Sequence, residues 1–340
     1  MGHPWGYLFK GYAPEYCTHS QRITRKRGVG HTFFFFTYGR KLTFASAACL
    51  LIHAELAKVE FVILRANSNH MQINIDNTRT SGQDSPTRCL WYDRIWASFI
   101  FFTRLPFWRL HEPPKECYKT VVEHWPLTGW LTGGAMAATL YFGSMVIPWP
   151  VAIVLAIMVR LLITGALHED GLADFLDGFG GGGSNRERIL AIMKDSHIGT
   201  YGVLGLIVYE LLLAVALFTM DVKLAVLAVL AADPYAKMVA SQLIQMMPYA
   251  RREDEAKAKT VYRKPDWKAG VSLAIQGLLP MAAFLYLTGL PWEMIIFIPC
   301  LVMYFLYRLI WNKLRGYTGD CCGAVCLLVE LTVYLVVCAL

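Results

Sequence analysis

Charged residues are scarce in this sequence. Asp, Glu, Lys and Arg make up 17% of its 340 residues, whereas hydrophobic residues make up 56%. The mean hydropathy is +0.40. Because soluble domains carry about 25% charged residues, this composition excludes an ordinary soluble domain and predicts an integral membrane protein.

The sequence also lacks two common signals. Among its nine cysteines, the group Cys321, Cys322 and Cys326 does not have the paired two-residue spacing of a zinc site. We therefore interpret the cysteines as small packing residues in a reducing compartment. No small-residue cleavage site follows the basic cluster Arg25–Arg27, so the first membrane helix is expected to act as an uncleaved insertion signal.

Several apolar stretches approach the length of about 20 residues that a membrane-spanning helix requires. A shorter apolar segment, 95–108, predicts an interfacial or re-entrant element. The fold class predicted is therefore all-α, a polytopic membrane bundle of about six to seven transmembrane helices with this N-terminal element. The seven stretches are 127–147, 150–167, 201–219, 224–246, 270–289, 293–310 and 322–340.

The basic residues predict how the chain is oriented in the membrane. The net charge of +7 falls mainly in the intervals between apolar stretches, so it indicates topology and a lipid bilayer partner, with no nucleic acid. Other intervals are very short and nearly uncharged, which predicts that the basic ones are cytoplasmic. The basic intervals are 104–119, 184–194, 251–268 and 308–315.

Composition divides the chain into two parts. Residues 1–87 carry scattered polar side chains without sustained periodicity, and we interpret them as an N-terminal extension of unknown role that is dispensable for activity. Residues 88–340 are predicted to form the membrane-embedded catalytic domain.

The most informative motif is the acidic run at 168–180. Its carboxylates Asp170, Asp174 and Asp177 are spaced by four and three residues, which places them within an arc of about 60° on a continuous helix. Such like charges repel, and a bound cation offsets that cost. Hard oxygen ligands suit Mg²⁺, or Mn²⁺ as the alternative, together with a diphosphate substrate. The competing interpretation is a solvated acidic helix end.

A glycine-rich loop follows this motif. Ser184 and Glu187 have the spacing of a capping box that opens a helix over 186–195, and a helix N-terminus can receive phosphate oxygens. Arg186, Arg188 and Lys194 become candidate phosphate contacts, and Asp195 a further metal ligand or catalytic acid.

Other ionisable residues have two interpretations each. Asp233 and Lys237, four residues apart in an apolar segment, indicate either an ion pair or a substrate contact. Lys313, Arg315 and Asp320 stand at a helix entrance near the end of the chain. They indicate either substrate contacts or an ordinary helix N-cap.

Three polar blocks together carry a family resemblance. They are His-x-Asp-Gly-Leu-Ala-Asp-x-x-Asp-Gly at 168–178, Met-Lys-Asp-Ser-x-Ile-Gly-x-Tyr-Gly at 193–202 and Thr-Gly-Asp at 318–320. With Phe-Phe-Thr-Arg-Leu-Pro at 101–106, the chain resembles the adenosylcobinamide-GDP ribazoletransferase, or cobalamin synthase, family over roughly 91–340.

The resemblance implies a phosphotransferase in the bacterial inner membrane with its active site facing the cytoplasm. Its substrates would be adenosylcobinamide-GDP and α-ribazole or α-ribazole 5′-phosphate, with release of GMP and with Mg²⁺. Two segments differ from the family pattern. Residues 233–237, Asp-Pro-Tyr-Ala-Lys, occupy the place where many members have Ser-Arg. Residues 316–319, Gly-Tyr-Thr-Gly, occupy the place of the usual Gly-Gly-x-Thr-Gly. The residues carried over are His168, Asp195 and Lys237 as catalytic groups, Asp170, Asp174 and Asp177 as metal ligands, and Arg186, Arg188, Lys194, Lys313, Arg315 and Asp320 as substrate contacts.

Two alternatives stay open. The run Asp174–Gly178 is similar to the start of the CDP-alcohol phosphotransferase motif, although the following Ala-Arg is absent. A secondary transporter could use the intramembrane ionisable residues as an ion path. The oligomeric state is also open, a homo-oligomer included. The ionisable residues of the transporter alternative are Asp233, Lys237, Glu210 and Glu330.

Overall fold

The computed structural model describes residues 89–251 and 261–340. These residues form ten α-helices and two 3₁₀ helices, Phe107–Arg109 and Lys115–His124, and they contain no β-strand. The N-terminal extension predicted at 1–87 lies outside the described residues. The α-helices are α1 (Trp91–Phe102), α2 (Trp125–Ser144), α3 (Trp149–Thr164), α4 (Leu167–Gly181), α5 (Arg186–Lys194), α6 (Thr200–Thr219), α7 (Val222–Met246), α8 (Trp267–Thr288), α9 (Trp292–Leu314) and α10 (Gly319–Ala339).

Each of the seven apolar stretches predicted from 127 onward lies largely in a helix, which confirms the all-α membrane bundle. By length and composition α6 to α10 can each cross a membrane, and α3 with α4 can form a sixth span that is bent by 90°. Helix α2 is not among these spans, because glycine and threonine fill much of it. The described helices therefore make a multi-pass membrane protein with five spans, or six with the bent pair, and six is the lower of the two numbers predicted.

Helices α7 and α10 form the centre of the bundle. In the apolar 18-residue segment of each helix, 72% of the residues of α7 and 78% of those of α10 are buried, against 22–28% in α6, α8 and α9. Helix α7 packs on α2, α8 and α10, and α10 also packs on α4 and α9. The helix that follows the Thr-Gly-Asp block is thus a central one.

The N-terminal element is a helix braced by a second short one. Helix α1 packs on the 3₁₀ helix Lys115–His124, where the Ser98 hydroxyl donates a 2.5 Å hydrogen bond to the carbonyl of Val121. A disulfide joins Cys89 to Cys117. The prediction that all cysteines are reduced packing residues therefore fails for this pair, although the group on α10 is free and buried.

A sharp break separates α3 from α4. Gly165 and Ala166 both have left-handed backbone conformations, with φ of 64° and 55°. Glycine adopts this conformation without the steric cost of a Cβ, and a Cβ at Gly165 would lie 2.3 Å from the Arg104 side chain. The break turns the acidic motif on α4 away from the axis of α3.

We predict that Gly129→Ala destabilises the bundle by about 1–3 kcal/mol, the usual cost of overpacking a close contact. A Cβ at Gly129 on α2 would lie 2.8 Å from the Cα of Pro234 on α7, so one of the two backbones must move. Gly134→Ala is the matched control, since no atom lies within 4 Å of its added Cβ. Thermal unfolding in detergent compares the two variants, and equal midpoints would contradict the prediction.

Candidate active site

A cavity of about 360 Å³ lies where the polar blocks of the sequence meet. It is enclosed by the first turns of α4 and α10, the end of α1 and the segment after α7. One part of its wall is aromatic and aliphatic, and the other is polar. The polar and ionisable side chains that line it are His168, Asp170, Tyr249, Arg251, Tyr262, Asp320 and Cys322.

A close helix contact brings two acids to this cavity. A Cβ at Gly171 would lie 3.1 Å from the Cα of Asp320, so glycine at this position lets α4 and α10 approach closely. Thr318 caps α10, its hydroxyl accepting a 3.3 Å hydrogen bond from the Cys321 amide. Asp170 and Asp320, 150 residues apart in the sequence, therefore line the same space.

Asp177 makes contacts that the sequence did not predict. Its two carboxylate oxygens accept hydrogen bonds from the amides of Gly199 and Gly202, at 2.7 and 2.9 Å. A carboxylate at these first amides caps α6 and complements the positive end of its dipole. The buried Asp177 thus fastens α4 to the start of α6.

The predicted set of three aspartate ligands does not assemble. Within the described ranges, no group of three His, Cys, Asp or Glu side chains is arranged to hold a metal ion. Asp174 is half-buried and lines neither this cavity nor the one described below. The pair Asp170 and Asp320 still fits Mg²⁺, which typically takes one or two protein carboxylates and completes its shell with phosphate and water oxygens.

His168 lies in an aromatic stack at the edge of the cavity. Its ring is nearly parallel to those of Trp125 and Phe102, with centroids 5.8 and 6.3 Å away. The imidazole is buried, and within residues 89–251 and 261–340 its Nε2 atom has no hydrogen-bond partner. His168 lines the same cavity as Asp170.

A second cavity, of about 570 Å³, adjoins α5. Arg186 braces its wall: the guanidinium donates to the carbonyl of Leu314 at 2.8 Å and to the carbonyl of Ala250. The helix is capped by Asn185, whose side chain accepts from the Arg188 amide at 2.8 Å, and not by the predicted Ser184. The residues lining this cavity are Arg186, Glu187, Leu190, Ala191, Lys194, Ala250 and Arg251.

Several predicted site residues line neither cavity. Arg188 is exposed on α5. Asp195 is also exposed, and hydrogen bonds from the side chain and amide of His197 lower its pKa. Lys313 donates a 3.0 Å hydrogen bond to the carbonyl of Phe179 at the end of α4, and Arg315 lies over the Trp311 ring. These last two cations hold helix ends within the structure.

The intramembrane ionisable residues are mostly paired. Lys237 forms a buried ion pair with Asp233, which also accepts a 2.5 Å hydrogen bond from the Thr132 hydroxyl. Arg160 donates to Glu330 at 2.8 Å. Of the two interpretations of Asp233 and Lys237, the structure therefore favours the ion pair, and the residues proposed for an ion path are largely held in structural contacts.

Sequence analysis missed Arg251 and the tyrosines around it. Arg251 stands in a basic interval that was used only to orient the chain, and tyrosines carry no motif of their own. Tyr249 and Tyr262 line the first cavity. Burial raises the pKa of the Tyr249 hydroxyl, and the nearby Arg251 charge opposes that rise.

Membrane-length helices around a cavity with two carboxylates, an unpartnered imidazole and a guanidinium define a multi-pass membrane enzyme. The family model for cobalamin-5-phosphate synthase matches residues 94–338. The chain belongs to the cobalamin-5-phosphate synthase family, which confirms the resemblance seen in the sequence. No solved structure matches it.

Curated relatives agree with this assignment. The adenosylcobinamide-GDP ribazoletransferase of Leptospira interrogans is 35% identical over 251 residues, which cover 72% of this chain and 94% of the relative. That of Leptothrix cholodnii is 37% identical over 249 residues, 69% of this chain and 90% of the relative. That of Vibrio parahaemolyticus is 36% identical over 237 residues, 69% and 88% of the two chains.

Proposed function

We propose that this chain transfers the cobinamide phosphate of adenosylcobinamide-GDP to α-ribazole or α-ribazole 5′-phosphate and releases GMP. The observation that carries the proposal is the first cavity. There, His168 and Asp170 from one polar block meet Asp320 from another. Membership of the family supports the same reaction, because its curated relatives are named for it.

The chemistry is a displacement at phosphorus. The ribose hydroxyl oxygen of the acceptor attacks the cobinamide phosphate, a new P–O bond forms, and the anhydride bond to GMP breaks. GMP leaves with the bridging oxygen. The hydroxyl proton passes to a base, for which the unpartnered Nε2 of His168 is suited by its place on the cavity wall.

Charge neutralisation is the main requirement of such a transfer. Asp170 and Asp320 would hold a Mg²⁺ ion, with Mn²⁺ as the alternative, and the ion would supply positive charge to the phosphate oxygens. Arg251 adds a protein cation on the same wall. The aromatic side of the cavity, with Phe102 and Trp125, suits the flat base of the acceptor.

We also propose that the cavity faces the cytoplasm from the bacterial inner membrane. The basic intervals at 104–119, 184–194 and 308–315 support this orientation, because Lys and Arg accumulate in cytoplasmic loops. The disulfide between Cys89 and Cys117 argues in the opposite direction, since disulfides persist mainly in oxidising compartments.

The reaction is tested with purified protein in lipid. Adenosylcobinamide-GDP with α-ribazole or its 5′-phosphate should yield GMP and the joined cobalamin product, detected by mass spectrometry, only when a divalent metal is present. A CDP-alcohol phosphotransferase would instead release CMP from a CDP-linked substrate. Folded, metal-replete protein that releases CMP and no GMP would refute the proposal.

A further inference from the structure

Arg251 occupies a position that no other described residue shares. It lines both the first cavity and the second one. Its Nη2 atom donates a 3.1 Å hydrogen bond to the carbonyl of Leu190, while its buried Nε has no hydrogen-bond partner among the described residues. The guanidinium is therefore hydrogen-bonded to α5 through Nη2. Its Nε–H group has no acceptor among the described residues, in a side chain that lines both cavities.

Backbone pairing fixes Arg251 relative to Asp320. The Ala250 amide donates to the Tyr317 carbonyl at 2.8 Å, and the Tyr317 amide donates to the Pro248 carbonyl at 3.0 Å. A Cβ at Gly316 would lie 2.7 Å from the Pro248 oxygen, so glycine permits this approach. Because Tyr317 directly precedes the cap of α10, the cation at 251 and the acid at 320 are positioned by the same short paired segment.

The two cavities differ in chemistry. The second one is lined by three cationic side chains, Arg186, Lys194 and Arg251, and by one acid, Glu187. Its net positive charge suits a phosphorylated nucleotide. The first cavity combines the Phe102, Trp125 and His168 rings with Asp170 and Asp320, which suits an aromatic acceptor and a cation rather than an unaccompanied anion.

We propose that Arg251 binds the donor diphosphate at the junction, with the guanosine half in the second cavity and the acceptor in the first. This assignment rests on the proposed function for the identity of the donor. With the two substrates on either side of the junction, the attacking hydroxyl and the departing GMP can lie on opposite sides of the transferred phosphorus, as an in-line displacement requires. A guanidinium is also the side chain best shaped to contact two phosphate oxygens at once.

The test measures binding and kinetics separately. GDP with Mg²⁺ is titrated into wild-type protein in lipid nanodiscs and into Arg251→Lys, Arg251→Gln and Arg251→Ala. We expect the Kd for GDP to rise about 10- to 100-fold in the Gln and Ala variants, the usual range for losing a charge-assisted hydrogen bond. The Kd of the Lys variant should lie between these values and that of the wild type, because Lys keeps the positive charge but cannot contact two phosphate oxygens as a guanidinium does. Arg263→Ala, an exposed cation that lines neither cavity, is the control.

The steady-state parameters separate binding from a purely structural role. The KM for the donor should rise in Arg251→Gln while the KM for α-ribazole stays unchanged. Folded variants that bind GDP as tightly as the wild type would overturn the proposal, as would an equal rise in both KM values. Loss of GDP binding in a protein that transfers no cobinamide phosphate would retain the nucleotide site and reject the reaction.

Discussion

Replacing Asp320 with Asn will lower the rate of GMP release by about 10²- to 10³-fold, the range seen when one electrostatic contact to a transition state is removed. The carboxylate lines the first cavity with Asp170, and phosphoryl transfer depends on neutralising the charge of the phosphate oxygens. The amide keeps the size of the side chain and removes its charge. Activity measured against Mg²⁺ concentration should therefore show both a lower maximum and a weaker metal dependence.

Asp177→Asn separates a cavity acid from a helix cap. It lies in the same acidic motif as Asp170, but its oxygens accept from the Gly199 and Gly202 amides. An asparagine can accept from only one of these amides, which leaves the other unsatisfied at a cost of about 1–3 kcal/mol. This variant should be less stable than the wild type. The activity of the protein that remains folded should depend on Mg²⁺ concentration as it does in the wild type. If Asp177→Asn weakens activation by Mg²⁺ and Asp320→Asn does not, our choice of metal ligands is wrong.

The helices were predictable because the signal for them is local. A continuous apolar run such as 201–219 must satisfy its own backbone hydrogen bonds in a membrane, and α6 spans Thr200–Thr219. The break at Gly165 and Ala166 was not predicted, since an alanine in a left-handed conformation has no sequence signature. The lower hydropathy of α2 comes from its glycines and threonines, which the sequence already shows.

The sequence shows the polar blocks that form the site, but it does not show which side chains of these blocks meet. The sequence placed His168, Asp170 and Asp320 in polar blocks, and the structure brings these three residues to one cavity. Spacing on one helix also suggested that Asp177 joins Asp170. What decides its partner is the start of α6, which tertiary packing brings against α4. The same applies to Arg186, whose carbonyl partners come from two distant segments.

A second large effect, on stability, is expected from substitutions in a buried ion network centred on Arg160. The Arg160 guanidinium on α3 donates to Glu330 on α10 at 2.8 Å and to the Tyr209 hydroxyl at 3.1 Å. The Tyr334 hydroxyl donates to the same Glu330 oxygen at 2.6 Å. A carboxylate oxygen of Glu169, beside His168 on α4, lies 3.9 Å from Arg160. Arg160 thus ties both sides of the break between α3 and α4 to the central helix.

We predict that Arg160→Met lowers the free energy of unfolding by about 3–5 kcal/mol, because it leaves Glu330 buried without its cation. Arg160→Met with Glu330→Met should recover part of that loss, since a buried pair replaced by apolar side chains is often nearly neutral, whereas Glu169 stays buried without Arg160. Unfolding in detergent mixtures measures both variants, with Arg308→Met, an exposed cation on α9, as the control. If the single and double variants are equally unstable, packing around Arg160 rather than its charge holds α3, α4 and α10 together. Recovery of stability without recovery of GMP release would show that the pair also positions His168, since Glu169, the next residue on α4, lies 3.9 Å from Arg160.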